Sequence, residues 1–501
     1  MHARVRPSPR PLFSSTIAVF SSSSHPTQPR TTLRHVTRHG RRGWTLVVTP
    51  SFPEKKLSGC NCTFSDVHHR RHRHWREAHC ASPTSGSTMA SFLATCAPGD
   101  EMALHEEVMG PHVRATWARP TRGGVHFGTR RQERKAMAVG YRACLWLRTS
   151  LRVLHLVHEG PLPPARNRLD AVHAFTRNAT DWNAQMPNKE RTVGVRVAAR
   201  KDAIATSAAV THAVKSCCDA RSTKSAEAAL PLWFATTDDG MASIHRDLCG
   251  VSLHQRGYRD GQGSHRAALR ATAAARCLKE ANWRSKWTDH VLVDPMCGAG
   301  TMLVEAAQQR MNMAPGQGRR EWPFQEWPDF DAEAWDDAWE EATEARDYAT
   351  AQWRRSGAPP ILGADHHPRA VDMACDTVRQ AGLEEWISIQ RADCCDWPVR
   401  ETIGHQSKCM VLTNPPWGMR LGGEGPEREK YPTAGQGQEQ ALAEESWIAL
   451  RTFLKQNCSK SDAYILCGNP AMSKHLRMRT ERKYPIATGG TDCRLLHYKV
   501  F

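Results

Sequence analysis

Residues 291–301, with the sequence VLVDPMCGAGT, decide the fold of the chain. A short β-branched run ends in Asp294, a small-residue loop follows, and residues 302–307 (MLVEAA) have a helical pattern. Strand, tight loop and helix in this order open a βαβ unit. Gly298 and Gly300 let the backbone turn sharply, and the amides at the start of the helix face a ligand. Asp294 ends the strand, at the edge where open α/β sheets bind ligands.

A second strand-like run, residues 408–413 (KCMVLT), ends in the sequence NPPWG at residues 414–418. The glycine loop alone is a weak signal, because dinucleotide sites and simple turns also use such loops. It lacks the third glycine of the dinucleotide spacing and the Gly-Lys-Ser/Thr of a P-loop. An acid with a glycine loop, followed later in the chain by Asn-Pro-Pro-aromatic, is a more specific functional signal than either motif alone. This pair resembles the S-adenosylmethionine-dependent methyltransferases that modify exocyclic or side-chain amide nitrogens.

Length and composition set wider limits. A chain of 501 residues is long enough for two or three domains with ample cores. The net charge is +17, and residues 1–90 hold fourteen Lys and Arg against three Asp and Glu. A basic chain suits an RNA partner, although most of this surplus lies in the leader. No apolar run approaches the ~20 residues that span a bilayer, so we expect no membrane association.

The N-terminal 90 residues differ from the rest. Residues 1–53 contain no Asp or Glu, eight Arg and many Ser and Thr. This composition is typical of an organelle transit peptide, and the Ser and Thr favour chloroplast over mitochondrion; a disordered low-complexity tail is the alternative. Residues 54–90 are interpreted as a disordered basic linker. Their Cys and His residues match no standard zinc-finger spacing, so we predict no metal site.

Globular patterns begin at Ser91. Residues 192–197 alternate apolar and polar side chains as a strand does, residues 201–215 have a helical pattern, and two further strands follow near 230–235 and 241–248. The mixture predicts a separate α+β domain over residues 91–250. Residues 251–501 then hold the strand-loop-helix motif and the Asn-Pro-Pro-Trp motif.

With these two halves defined, the chain resembles the THUMP-containing RNA guanine-N2 methyltransferases, and in particular the N-terminal half of the bacterial large-subunit rRNA methyltransferase L family. The resemblance covers roughly four-fifths of the chain in several independent motifs. The matching segments are 123–127, 251–259, 294–307, 314–316, 363–365, 414–421 and 492–493. The resemblance implies a class I (Rossmann-like) α/β fold with a doubly wound seven-stranded sheet, preceded by a THUMP-like RNA-binding domain. The bacterial protein continues into a second methyltransferase half; since this chain ends at Phe501, we expect that second activity to be absent.

The resemblance also implies S-adenosylmethionine as cofactor. An acid at the end of the second strand can accept from both ribose hydroxyls, and Asp365 fits this role; Asp393 would accept from the adenine amino group. An Asp at a strand end is otherwise often a turn or cap residue. Cys297 is interpreted as a packing residue and not as a nucleophile. The residues expected to hold the cofactor are Asp294, Pro295, Gly298, Gly300, Thr301, Asp365 and Asp393.

The residues Asn414, Pro415, Pro416 and Trp417 are predicted to bind the methyl acceptor. A base amine is a poor nucleophile, because its lone pair is delocalised into the ring. The Asn414 side-chain oxygen and the Pro415 carbonyl can accept hydrogen bonds from its two N–H groups. These bonds direct the nitrogen lone pair toward the sulfonium methyl and stabilise the positive charge that develops on the nitrogen. The prolines restrict the loop, and Trp417 can stack on a flipped base. Neither a covalent intermediate nor a metal is expected, because the sulfonium is already activated.

The implied function is N2-methylation of a guanosine in large-subunit rRNA, in an organelle, by a monomeric enzyme. A tRNA guanosine substrate and a non-catalytic ribosome-assembly factor are the alternatives. Adenine-N6 and protein-glutamine methyltransferases share the Asn-Pro-Pro-aromatic loop but lack a THUMP-like domain. Trp417 and Met419 depart from the family pattern of Tyr and an acid, which bears on the base or site that is modified. Candidate RNA contacts, with a solvated charged face as their alternative, are Arg122, Arg130, Arg131, Arg259 and Arg420.

One segment of the catalytic half, residues 311–357, is acidic and rich in tryptophan. Tryptophans beside a nucleic-acid site can stack on bases. Packing onto the core is the favoured interpretation, because acids repel phosphate and Trp335 and Trp339 are spaced i, i+4 on a helix. We interpret the segment as an insertion in the methyltransferase domain.

Overall fold

The structure is a computed structural model. It describes residues 36–38, 44–46, 91–129, 136–198, 202–237, 239–258, 269–357, 360–404, 407–418, 436–488 and 491–501. The chain divides into two compact units, residues 1–84 and 85–501. In the first unit, β1 (Val36–Arg38) pairs antiparallel with β2 (Trp44–Leu46). The rest of the predicted transit peptide (1–53) and linker (54–90) lies outside the described residues, so both remain predictions.

The second unit begins with an eight-stranded mixed sheet. Its strands are β3 (Ser91–Cys96), β4 (Trp117–Thr121), β5 (Gly124–Gly128), β6 (Ser150–Pro161), β7 (Thr192–Val197), β8 (Arg221–Ser222), β9 (Leu230–Thr236) and β10 (Met241–Asp247). The strand order is β4-β5-β3-β6-β10-β9-β7-β8. The helices are α1 (Glu101–Val108), α2 (Met137–Trp146), α3 (Arg168–Arg177), α4 (Trp182–Gln185) and α5 (Ala203–Lys215). This sheet agrees with the α+β region that the sequence predicts.

The sequence pattern explains these elements well. In β3, side chains alternate between half-buried and buried, as expected for a strand with one face on the core. The strand predicted over residues 192–197 has those bounds in the structure. The chain between β6 and β7 forms two helices, α3 and α4, because the Asp181 carboxylate caps the second at the amides of Asn183 and Ala184.

A seven-stranded sheet follows. Its strands are β11 (His290–Asp294), β12 (Ile361–Asp365), β13 (Ile387–Arg391), β14 (Lys408–Thr413), β15 (Ser461–Cys467), β16 (Arg482–Thr488) and β17 (Thr491–Val500), in the order β13-β12-β11-β14-β15-β17-β16. All neighbours are parallel except β17, which runs antiparallel to β15 and β16. The helices are α6 (Ala271–Glu280), α7 (Trp283–Lys286), α8 (Thr301–Arg310), α9 (Ala332–Ser356), α10 (Pro368–Gln380), α11 (Val399–Ile403) and α12 (Gln436–Asn457). This topology confirms the predicted class I methyltransferase fold.

Strand register brings the motifs to one edge of this sheet. Val293 of β11 pairs with Val411 of β14, and Asp294 pairs with Gly363 of β12. The three strands are almost wholly buried, as expected for a parallel sheet covered on both faces. The residues that follow them therefore lie side by side at the carboxyl edge, where ligands of such sheets bind.

The tryptophan-rich segment packs in the interior, which confirms the packing interpretation. The rings of Trp322, Trp327 and Trp335 join the core of the N-terminal sheet, whereas Trp353 joins the core of the methyltransferase sheet. Tyr141 of α2 and Phe324 of the segment stack with ring centroids 4.7 Å apart. A segment that the sequence places in the catalytic half thus contributes to both cores.

Buried ion pairs reinforce this join. Glu305 of α8 is fully buried, and its carboxylate lies 2.7 Å from Nη1 of Arg148 and 3.6 Å from Nη2 of Arg256. Arg142 of α2 makes a bidentate pair with Glu341 of α9, at 2.7 and 2.9 Å. Because α8 begins at the glycine loop, the N-terminal sheet is attached directly to the helix that carries the candidate cofactor loop.

Candidate active site

Backbone hydrogen bonds within the loop and to the end of β12 shape the glycine loop. The amide of Cys297 donates to the carbonyl of Ala364 (2.9 Å), and the amide of Gly300 donates to the carbonyl of Cys297 (2.9 Å). Gly298 and Gly300 have φ values of +52° and +74°, a region that favours glycine. A Cβ on Gly298 would meet nothing within 4 Å, so the space over the loop is open. Burial raises the pKa of the Cys297 thiol far above its usual value, which suits a packing residue.

Two carboxylates border this loop. Asp294 is only 2% exposed, and its Oδ1 accepts from the amide of Met296 (3.2 Å). Burial raises the pKa of Asp294 to about 7, with the Thr413 hydroxyl and the Met296 amide acting in the opposite direction. Asp365 accepts from the amide of Gly298 through Oδ2 (3.0 Å) and from the amide of His367 through Oδ1 (2.9 Å). Asp365 therefore ties the glycine loop to the end of β12.

The remaining predicted cofactor residues lie on the same edge. Pro295 is buried directly after Asp294, and Thr301 is the first residue of α8 and 4% exposed. Asp393 is exposed in the loop after β13, which neighbours β12. Its Oδ1 accepts from both the amide and the thiol of Cys395, each at 3.0 Å, and these bonds lower its pKa. An exposed, ionised carboxylate remains available there as an acceptor.

The Asn-Pro-Pro-Trp segment begins where β14 ends. Asn414 is half-buried, and its side-chain oxygen is buried without a hydrogen-bond partner among the described residues. Pro415 is buried and Pro416 is exposed. Asn414 directly follows β14, which is the parallel neighbour of β11, so its backbone lies beside the residues that follow β11. A buried acceptor without a donor is costly and is commonly kept where a ligand supplies the donor.

Trp417 is held by the neighbouring strand. Its indole Nε1 donates to the carbonyl of Leu466 (3.2 Å). A Cβ on Gly468 would overlap the six-membered ring of Trp417, so the ring lies directly on that glycine. The side chain is half-buried. Stacking of Trp417 on a base, as predicted, would use only the ring surface that Gly468 leaves uncovered.

Three residues that hold this segment, Trp447, Asn469 and Gly468, were not predicted from the sequence. The Trp447 indole on α12 donates to the carbonyl of Pro416 (2.8 Å), and Nδ2 of Asn469 donates to the carbonyl of Trp417 (3.0 Å). Gly468 provides the space for the Trp417 ring. A weak signal existed, since Asn469-Pro470 follows an apolar strand as Asn414-Pro415 does.

Most of the candidate RNA contacts lie outside the described residues, namely Arg130, Arg131, Arg259 and Arg420. Arg122 is exposed in the turn between β4 and β5, where the next amide, of Gly123, donates to Glu101 (2.9 Å). Within the described part of the chain, no group of three or more His, Cys, Asp or Glu side chains is arranged to hold a metal ion. Nor is any described helix long and apolar enough to cross a bilayer.

Two segments of the chain match known protein families. Residues 256–496 match the RMKL-like methyltransferase domain, and residues 91–154 match the RlmL ferredoxin-like domain. The curated protein named ribosomal RNA large subunit methyltransferase K/L from Syntrophotalea carbinolica is 30% identical over 418 residues, which are 82% of this chain and 53% of that protein. The protein of the same name from Pseudomonas aeruginosa is 30% identical over 426 residues, 82% of this chain and 52% of its own length. The chain spans about half the length of these curated relatives.

Solved structures share the fold of the second unit. A Listeria monocytogenes protein described as a predicted N6-adenine-specific DNA methylase has a TM-score of 0.62 and 22% identity, covering 83% of this chain and 97% of its own. TrmN from Thermus thermophilus has a TM-score of 0.52 and 15% identity, covering 82% of this chain and 100% of its own. The chain therefore contains a methyltransferase domain of the RMKL-like family, with S-adenosylmethionine as methyl donor, and an RlmL-type ferredoxin-like domain precedes it in the sequence.

Proposed function

We propose that this chain is an RNA methyltransferase that modifies the N2 atom of a guanosine in large-subunit rRNA. The observation that carries the proposal is the buried Oδ1 of Asn414, which has no hydrogen-bond partner among the described residues and follows the strand next to β11. This oxygen is an acceptor for an amine N–H at the edge of the sheet where the cofactor binds. The N-terminal ferredoxin-like domain and the names of the curated relatives support RNA, and rRNA in particular, as the substrate.

The residues at the glycine loop fit the proposed cofactor. Two acidic residues, Asp294 and Asp365, border an open loop, and the ribose hydroxyls and the amino group of a nucleoside cofactor are donors that such acids can accept from. Asp365 would hold the ribose hydroxyls, Asp393 the adenine amine, and Asp294 with Pro295, Gly298, Gly300 and Thr301 the remainder. When bound, S-adenosylmethionine supplies a methyl group that is already activated toward a nitrogen nucleophile.

The acceptor residues would orient and stabilise the base. Asn414 Oδ1 and the Pro415 carbonyl accept from the two hydrogens of the exocyclic amine, which places its lone pair toward the donor side. Both oxygens are fixed before the base arrives, so they stabilise developing positive charge without reorganisation. Trp417 contributes a wall of the base site through the ring surface that remains open. The rate enhancement would come from positioning the base against the methyl group, without a covalent enzyme intermediate.

The N-terminal domain would present the RNA. It is attached to α8 through Arg148 and Glu305, so RNA bound to that domain would be held at a constant distance from the glycine loop. Arg122 and the basic residues Arg130, Arg131, Arg259 and Arg420 are proposed phosphate contacts. Location in an organelle, with chloroplast favoured over mitochondrion, and a monomeric state are part of the proposal; the acid-free residues 1–53 support the location.

The test is to identify the methylated nucleoside. The full chain is incubated with methyl-labelled S-adenosylmethionine and either large-subunit rRNA or tRNA, and the RNA is digested to nucleosides. We expect labelled N2-methylguanosine in the rRNA and none after Asn414→Ala. The matched control is Asn178→Ala, an exposed asparagine at the end of α3, which should leave the label unchanged.

Each other outcome overturns part of the proposal. Label in tRNA alone would change the substrate, and label on adenine would change the base. An unlabelled product with cofactor still bound would favour a non-catalytic assembly factor or a substrate present only in a ribosomal particle. Failure to bind the cofactor would contradict the proposal entirely.

A further inference from the structure

The turn after β15 is bound to the acceptor segment through one side chain. Nδ2 of Asn469 donates to the carbonyl of Trp417 at 3.0 Å, and Oδ1 of the same side chain accepts from the amide of Ala471 at 3.1 Å. Both ends of this amide are therefore engaged, one with its own turn and the other with the acceptor segment. The bond to Trp417 joins residues that are 52 positions apart in the sequence.

Three other contacts hold the same segment, and none involves Asn414. Trp447 binds the carbonyl of Pro416, the Trp417 indole binds the carbonyl of Leu466, and the Trp417 ring lies on Gly468. The Asn414 side-chain oxygen has no partner among the described residues. The position of that oxygen is therefore determined by the backbone on either side, which is β14 before it and the bound residues 416 and 417 after it.

We propose that Asn469 is a positioning residue for the methyl acceptor, a role that rests on the proposed function. By holding the Trp417 carbonyl, it holds the loop in the conformation that directs Asn414 Oδ1 and the Pro415 carbonyl toward the amine. Gly468 is required next to it, because any side chain there would displace the Trp417 ring. A small displacement of preorganised acceptors lowers the rate without lowering affinity for groups bound elsewhere.

The variant Asn469→Asp isolates this bond. Aspartate has the same shape and keeps an oxygen for the Ala471 amide, but it replaces the N–H donor by a second oxygen facing the Trp417 carbonyl. We expect kcat to fall between about tenfold and about a hundredfold, with the dissociation constant of S-adenosylmethionine and the KM for RNA within about twofold of wild type. The control is Ser473→Ala, which removes a bond to the carbonyl of Pro470 in the same turn (2.8 Å) without touching the acceptor segment.

A second measurement does not depend on the RNA. Amide hydrogen exchange of the full chain, followed in a peptide over residues 408–418, should accelerate at Trp417 and Gly418 in Asn469→Asp and remain at the wild-type rate in Ser473→Ala. An unchanged kcat, unchanged exchange, or an equal loss in both variants would overturn the proposal. If the wild-type protein transfers no methyl group, the proposed function fails, and the exchange rates still decide whether Asn469 holds the loop.

Discussion

The two sides of the candidate pocket are built differently. On the donor side, the glycine loop is held by neighbours at strand ends, through the Ala364 carbonyl and the Asp365 carboxylate. On the acceptor side, the loop is held by side chains that lie outside the parallel strands, Trp447 of α12 and Asn469 in the turn after β15. The difference indicates that changes on the donor side should alter cofactor affinity, whereas changes on the acceptor side should alter the rate of transfer.

The largest expected effect is at Asn414. Asn414→Ala removes one of two preorganised acceptors, so kcat should fall by about 10²–10³-fold. The dissociation constant of S-adenosylmethionine should stay near the wild-type value, because Asn414 lies on the acceptor side. Steady-state kinetics and calorimetric titration measure the two quantities. A variant that loses cofactor affinity as well would show that the two sides are not separate.

Asp365 should show the opposite behaviour. Asp365→Ala removes the carboxylate that holds the Gly298 amide and is proposed to bind the ribose, and charged hydrogen bonds of this kind contribute about 1.5–3 kcal/mol. The dissociation constant of the cofactor should rise by about ten- to a hundredfold, with kcat recovered at saturating cofactor. Asp376→Ala, on the exposed face of α10, is the control. A kcat that stays low at saturation would contradict the assignment.

Asp294 makes stability depend on pH. Its pKa of about 7 in the folded protein is above the ordinary value, so between about pH 4 and pH 7 the folded state holds a proton that the unfolded chain has released. The contribution of Asp294 to the free energy of unfolding should therefore fall as pH rises through this range and level off above about 7. Urea unfolding without cofactor should show that Asp294→Asn removes about 2 kcal/mol of this decline between pH 5 and pH 8. The same pH dependence in both proteins would rule out a buried, protonated Asp294.

Trp447 should have the smallest effect. Trp447→Phe keeps a buried ring but removes the N–H bond to Pro416, and one hydrogen bond of this kind contributes about 1 kcal/mol. We expect kcat to fall about three- to tenfold with unchanged cofactor affinity. Trp397→Phe is a matched control, because the buried Trp397 indole N–H has no hydrogen-bond partner among the described residues. An equal effect of both substitutions would assign Trp447 to general packing.

The structural features that could be predicted from the sequence are those that depend on residues close together in the chain. The bounds of β7 and β14 followed from apolar patterns and turn residues, whereas the fold of the methyltransferase sheet followed from the resemblance to a known family. The glycine loop was also visible, because Asp294, Gly298 and Gly300 lie close together in the sequence, although its bonds to Ala364 and Asp365 were not predicted. The bonds from Trp447 to Pro416 and from Arg148 to Glu305 were not predicted, because partners 31 and 157 positions apart leave no local pattern. The division of the tryptophan-rich segment between two cores was missed for the same reason.

The most direct test of the separation between the two sides is the single-turnover rate of methyl transfer to large-subunit rRNA at saturating S-adenosylmethionine. Wild type, Asp365→Ala and Asn414→Ala are compared at the same enzyme excess. We expect Asp365→Ala to react at close to the wild-type rate and Asn414→Ala to stay about 10²–10³-fold slower. Equal rates in the two variants, or a rate in Asn414→Ala equal to wild type, would contradict this separation.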